Sequence, residues 1–396
     1  MNNFLKNSIS VAAFAAAAIM IMSCGNNIAP TPTLERWVYV PVSSSNGAAQ
    51  NQTGLFRISL YTGKRDTLTN VSVERITGVA QNGIVVMEFG DNVQQKLYGK
   101  CEDGRLIPVP FPVPADSNWK YEYANPPNMT LNYAGHRLAY QVLYSPKIQN
   151  DPSLTHSKLI YFNCDKWEMT IIDLHDFIIS QMASQGATNG SIDGEMFFTD
   201  QEGSAVFFSV AGYRYLNGNR ILVGNQFVEW ANDTLRGVGP LSPAPLPLCG
   251  FDLITQTALM ISGNALSSIA LPTGGQTTSS LLSSQLSNRN QFASALSELA
   301  AWGTDGIEIR NTISGSLVSK VISFNDLDFK FGQHRHNPNP GLSISPDGQW
   351  LAFTLALASD SSSVDLFAVK RDGTWLNRIG EKLKMGTPVV SDDVKN

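Results

Sequence analysis

Two histidines flank an arginine in "HRHNPNP" (334–340). Alternate side chains of an extended segment project to one side, so His334 and His336 would present both imidazoles together. Paired imidazoles can supply two ligands to a metal, or hydrogen bonds to an anion, a peptide or a glycan. A metal needs further ligands, and spacing assigns no third one. The alternative is a solvated loop whose histidines bind nothing. His136, His156 and His175 stand alone in the sequence and read as surface or structural residues.

Other chemistries lack their motifs. The nearest string to a GxSxG serine elbow is "GLSIS" (341–345), which has no second glycine. No phosphate loop and no HExxH occurs. "FNDLDF" (324–329) and "SDSSSVD" (359–365) do not follow the D-x-[DN]-x-[DN]-G spacing of a calcium loop and read as solvated turns. Cys101, Cys164 and Cys249 are far apart, with no CxxC or CxxH among them. They permit one disulfide but no disulfide framework and no cysteine-based zinc site. No cofactor is expected.

The N-terminus, "MNNFLKNSISVAAFAAAAIMIMSCGNN", places Lys6 before an uncharged apolar run from Val11 to Met22. That is the layout of a signal peptide, and it falls short of the ~20 apolar residues that span a bilayer. Ile21-Met22-Ser23-Cys24 resembles the bacterial lipobox. The resemblance implies cleavage before Cys24, acylation of its thiol and stable membrane anchoring. Residues 1–23 are thus read as a lipoprotein signal peptide. "GNNIAPTPT" (25–33), small, polar and Pro-containing, completes a flexible tether over 24–33. Gly25 is not acidic, which favours the outer membrane, facing the periplasm, over inner-membrane retention.

The 28 Lys and Arg are outnumbered by 33 Asp and Glu, for a net charge of −5. That balance argues against a nucleic-acid partner. With 43% apolar and 15% charged residues, the chain can bury a large core.

The elements that must position these residues are strands. "LSISPDGQWLAF" (342–353) reads as a hairpin whose turn is Ser345-Pro346-Asp347-Gly348. "VDLFAVKRDG" (364–373) is a further strand closed by Arg371-Asp372-Gly373, and it is apolar on both faces. The first phrase recurs loosely as "VAQNGIVVME" (79–88), "LNYAGHRLAY" (131–140) and "TDQEGSAVFF" (199–208). The second recurs as "LFRISLYTG" (55–63), "LYGKCEDG" (97–104), "LSSIALPTG" (266–274) and "IEIRNTISG" (307–315). Self-similarity every ~40–60 residues, with several strands per unit, is the mark of a propeller. The phrases resemble the TolB-type β-propeller repeat, a relative of WD-type repeats. The resemblance covers most of 36–380 and implies an all-β fold of about seven four-stranded blades, with six or eight also permitted. "VVSDD" (389–393) begins a repeat that does not continue, while 36–69 holds later strands without a beginning. The C-terminal strand is therefore expected to complete the first blade of a single propeller over 34–396. "DLHDFIISQMASQ" (173–185) has helical spacing and reads as an inserted amphipathic helix with Asp173 as N-cap. "TTSSLLSSQLSNRNQ" (277–291) reads as a loop or short helix. The tryptophans read as packing between blades, with Trp119 the exception to watch.

In such a ring, "HRHNPNP", "NWKYEYANPPN" (118–128) and "SNRNQ" (287–291) are connections entering innermost strands. They predict a channel mouth lined by Lys120, Tyr121, Tyr123, Arg289, His334, Arg335 and His336. Two functions follow from this reading. The first is a monomeric, lipid-anchored envelope protein whose propeller binds a protein, peptide or glycan partner, as TolB partners other envelope proteins. The second is an enzyme, a lyase, lactonase or hydrolase, with its site at the channel mouth. The absence of catalytic motifs favours the first.

Overall fold

The computed structural model describes residues 34–395, apart from 44–46, 50–51, 81–84, 90–96, 103–104, 125–127, 149–151, 247, 263–264, 272–274, 281–291, 296 and 304. Trp350–Leu357 and Val364–Lys370 form the two central strands of its last sheet. Leu366, Phe367, Ala368 and Val369 are all fully buried. Phe367 and Val369 share a core with Trp302, Ile307 and Ile309 of the preceding sheet. Leu366 and Ala368, on the other face, share one with Val38, Val40 and Ile58 of the first. A sheet apolar on both faces must be sandwiched between two others.

Repetition of that rule closes a ring. Seven antiparallel sheets occur among the described residues, here called blades 1 to 7. Their innermost strands are Val389–Lys395, Val73–Val79, Met129–Leu131, Asn189–Phe198, Leu248–Asp252, Phe292–Ala295 and His334–Ile344. Each touches the next, and the seventh touches the first. The chain is a β-propeller.

Blade 1 is completed as the sequence led us to expect. Val389–Lys395 pairs antiparallel with Leu34–Val42, from Tyr39 opposite Val389 to Leu34 opposite Lys395. In a four-stranded meander the first and third turns share one end and the second lies at the other. The ring therefore has a turn face, bearing the first and third turns of the blades, and a connection face, bearing the links between blades. The first repeated phrase supplies the first turn, and the second phrase supplies the third turn. In blade 7 the Ser345 amide donates to Trp350 O and the Gly348 amide to Ser345 O, both at 2.8 Å. Gly348 has φ +69°, the left-handed conformation this turn requires.

The inserted helix, α1, spans His175–Met182 and runs into a 3₁₀ turn at Ala183–Gln185. The N-cap is Leu174, not Asp173, and makes no side-chain cap bond; Asp173, one residue earlier, accepts from the His175 amide through Oδ1 at 3.0 Å. Leu174, Ile178 and Met182 are fully buried in the core of blades 3 and 4. The helix lies flush on blade 4 because Gly190 has no side chain; a Cβ there would collide with Ile178. Gly190→Ala is expected to cost about 1–3 kcal/mol through overpacking. A urea midpoint unchanged from wild type would show that the helix can lift without penalty.

Two further expectations are corrected. "FNDLDF" is not a solvated turn: Phe324–Phe331 is a helix, α2, with Phe324 and Leu327 buried. Phe324, Leu327 and Phe331 recur at helical spacing, and all three pack on the blade 6–7 core. Within "TTSSLLSSQLSNRNQ", residues up to Ser280 belong to the outer strand Gly275–Ser280 of blade 5, and 281–291 lie outside the described residues.

Candidate functional site

The first turns of blades 3, 4, 5 and 7 converge with the inner strand of blade 1 around a pocket of about 670 Å³ on the turn face. Contributions from five blades place this pocket on the propeller axis. Phe251, Leu253, Ile254 and Ile344 give it an apolar wall. Ile254 is 62% exposed, which is unusual for so large an aliphatic side chain. Asp200, Asp347 and Asp392 bring three carboxylates, and among the described residues no lysine, arginine or histidine lines the pocket.

Each carboxylate is held in place. Asp200 accepts from the Ser204 amide and hydroxyl, which closes the blade 4 turn. Asp347 takes a bidentate pair from Arg36, Nη1 to Oδ1 at 2.9 Å and Nη2 to Oδ2 at 2.6 Å. Arg36 is only 3% exposed and also donates to Ser345 Oγ at 3.2 Å. Burial alone would raise the Asp347 carboxyl, but hydrogen bonds from Arg36, Ser345 and the Gln349 amide hold it below its usual value. Asp392 goes the other way. Burial, helped by the nearby Asp347 charge, raises it against hydrogen bonds from Tyr133 and the Asp347 amide. The Tyr133 hydroxyl donates to Asp392 Oδ2, and the Asp347 amide donates to Oδ1 at 2.9 Å. Burial and this bond to Asp392 push the Tyr133 phenol up. Blades 1, 3 and 7 are thereby laced together across the pocket floor.

The described residues of the sequence-derived mouth lie on the other face and do not form one group. His334 and His336 do share a side, and that side meets α2, with His334 buried and His336 partly exposed. His336 Nε2 is 2.9 Å from Asp328 Oδ2, and the His336 ring stacks on Phe324 at 4.7 Å. His334 is buried between two carboxylates, with Nδ1 3.4 Å from Asp328 Oδ1 and Nε2 3.3 Å from Asp365 Oδ2. Arg378 and the Lys382 amide also donate to Asp365. The histidine pair is thus a bolt between α2 and blade 7. Arg335, between them, is exposed. Lys120 and Tyr121 lie in blade 3, three blades away around the ring. Trp119–Tyr123 forms an added strand there, paired with Val142–Pro146. Lys120 bonds Glu122 at 2.6 Å, while Tyr121 packs on Tyr144. Tyr123 is in the same strand. Arg289 and the leader and tether with Cys24 lie outside the described residues. Among the described residues, no group of three or more His, Cys, Asp or Glu could hold a metal ion.

Trp119 stacks on Tyr144 at 4.6 Å and approaches His156, whose ring stacks on His175 at 3.9 Å and 8°. Burial and the neighbouring His175 lower the His156 pKa from its usual 6.5. A lowered histidine contributes stability that is complete above pH 6.5 and is lost as pH falls through its folded value. Lys158 and Asp173, ion-paired at 2.7 Å, face the same rings, and Asp176 lies nearby. The melting temperature is therefore expected to fall between pH 6.5 and 5, and His156→Phe should flatten that slope. An equal slope in the variant would remove this pair from the account.

No protein-family model matches the chain, and no curated protein matches it. Among solved structures, the chain is similar to a puromycin-hydrolysing peptidase of Mycobacterium tuberculosis, at TM-score 0.49 and 11% identity. That match covers 88% of this chain and 52% of the peptidase, so the chain spans about half the peptidase's length. The β-propeller domain of the Trilobed protease from Pyrococcus furiosus matches at TM-score 0.45 and 9% identity, over 83% of this chain and 87% of that one. The WD40 domain of SCAP from fission yeast matches at 0.40 and 9%, over 78% and 70%. The fold assignment rests on the strand pairing and the ring of inner strands.

Proposed function

We propose that this is a lipid-anchored envelope protein, acylated at Cys24, whose propeller binds a partner through the axial pocket. The observation that carries the reading is the pocket itself, with its apolar wall, its three carboxylates and no cation among the described lining residues. Such a site suits a peptide segment of the partner that presents a lysine or arginine on its aliphatic stem. The carboxylates are already committed to Arg36, Ser204 and Tyr133, which fits preorganised recognition. The position of Leu34 supports the reading. It pairs with Lys395 at the turn-face end of blade 1, so a tether joined to it would start on the face that carries the pocket. Ten residues, 24–33, reach at most about 35 Å, which keeps that face near the membrane. Outer-membrane attachment facing the periplasm is part of the same proposal.

The test is a pull-down from crosslinked membranes with wild type, Cys24→Ala and Ile254→Arg. A specific envelope protein captured by wild type and lost with Ile254→Arg supports the reading. Equal capture by both would move the site elsewhere.

One observation favours a second reading, an axial hydrolase or lyase. Asp392 is raised while Asp347 beside it is lowered, a division that can supply a general acid and a base. Asp392→Asn separates the readings. It should abolish turnover of a glycan or lactone substrate if the site is catalytic, and only weaken partner capture, with two of the three carboxylates left, if it is a binding site.

A further inference from the structure

A second cavity opens on the turn face, where blades 6, 7 and 1 meet. It measures about 650 Å³ and is separated from the axial pocket by the Arg36–Asp347 pair. Blade 7 contributes Asp347 and Gln349 from its first turn, Trp350 from the strand that follows, and Lys370, Arg371 and Asp372 around its third turn. Blade 1 adds Tyr61 from its third turn, and blade 6 adds Val318 and Ser319 from its outer strand.

Its aromatic side is built in an ordered way. Trp350 is almost fully buried and acts as a hub. The edges of Tyr61 and Trp375 meet it at 6.3 and 5.0 Å, and the Lys370 ammonium lies 5.6 Å from its ring centre. Tyr61 is 49% exposed and Trp375 39%. Trp375 has φ +55°, a left-handed conformation that bulky side chains rarely hold.

The polar side has a composition that narrows the ligand. An anion site is lined by donors and a cation site by acceptors. Here donors and acceptors occur together: Arg36 and Asp347, paired with each other, Arg371, paired with Glu298, and beside them the Lys370 ammonium, the Gln349 amide, the Asp372 carboxylate and the Ser319 hydroxyl. Such a mixture matches a polyhydroxylated ligand, whose hydroxyls both donate and accept. Aromatic rings beside it match the apolar C–H faces of a sugar.

We infer that this cleft is a saccharide-binding site for a neutral oligosaccharide. It adjoins the axial pocket at Asp347, is otherwise lined by different residues, and does not depend on how that pocket is used.

The test is isothermal titration calorimetry of the propeller with maltohexaose, cellohexaose and xylohexaose, with sodium sulfate as competitor. At least one hexasaccharide is expected to bind with a millimolar or tighter Kd. Tyr61→Ala and Gln349→Ala should each weaken it about tenfold, the latter from an exposed position with no effect on folding. Phe329→Ala, on the connection face, should bind as wild type does. Binding that survives both cleft substitutions, competition by sulfate, or no binding of any of the three sugars at 10 mM would each overturn the inference.

Discussion

Arg36→Ala is expected to lower stability by about 2–3 kcal/mol, and the melting temperature by about 3–4 °C. A fully buried pair broken on one side would cost more, but the Asp347 side chain is 35% exposed and water screens part of the loss. The residue joins the strand Leu34–Val42 to the first turn of blade 7, so the loss falls on the seam where the two ends of the chain meet. The pH dependence gives the signature. Asp347, held low, contributes stability that is present above its unfolded value of about 3.8 and is lost as pH falls through its folded value. Asp392, held high, contributes in the opposite sense: its share is present below 3.8 and is lost as pH rises through its folded value. Removing Arg36 deletes the first contribution and strengthens the second. The variant should therefore lose less on acidification than wild type does. Melts from pH 7 to pH 3 check this, and parallel curves for the two proteins would refute the assignment.

Ile254→Arg should reduce partner affinity about a hundredfold or more while leaving the melting temperature within 1 °C. The side chain is 62% exposed, so the fold does not depend on it. A guanidinium at the pocket rim would satisfy the carboxylates from within and fill the space a ligand must enter. Hot spots of this size sit at the centre of an interface, where water is excluded. Quantitative capture across a dilution series measures the change, and a loss under threefold would show that the pocket is peripheral.

Much of the fold could be read from two short phrases, because each encodes a turn with its own chemistry. "SPDG" requires a tight turn, and "LFAV" requires burial on both faces, so their recurrence already implies stacked sheets. Ring closure was legible in the same way, since "VVSDD" resembles the start of a unit, and its strand pairs with Leu34–Val42 of blade 1. The site was less legible. The alternation of His334 and His336 correctly places both imidazoles on one side. What alternation cannot reveal is what covers that side. Asp328 and Phe324 of α2 do so, and their helix is only two turns long within a segment rich in Asp and Asn. The residues that do line the axial pocket were in view as repeat markers. Tyr133, Asp200 and Asp347 all lie in the repeated first turns, and the signal was their position on the axis, not their type. Arg36 pairs with a residue 311 positions away, a contact no local pattern carries.

The most direct test of the central claim is site-specific photo-crosslinking in intact cells. A benzophenone side chain would replace Ile254 on the turn face in one strain and Phe329, 96% exposed on the connection face, in another. The account expects a discrete adduct with one envelope protein from position 254 and none from position 329. An adduct from position 329 alone would contradict it and place the binding surface on the opposite face of the propeller.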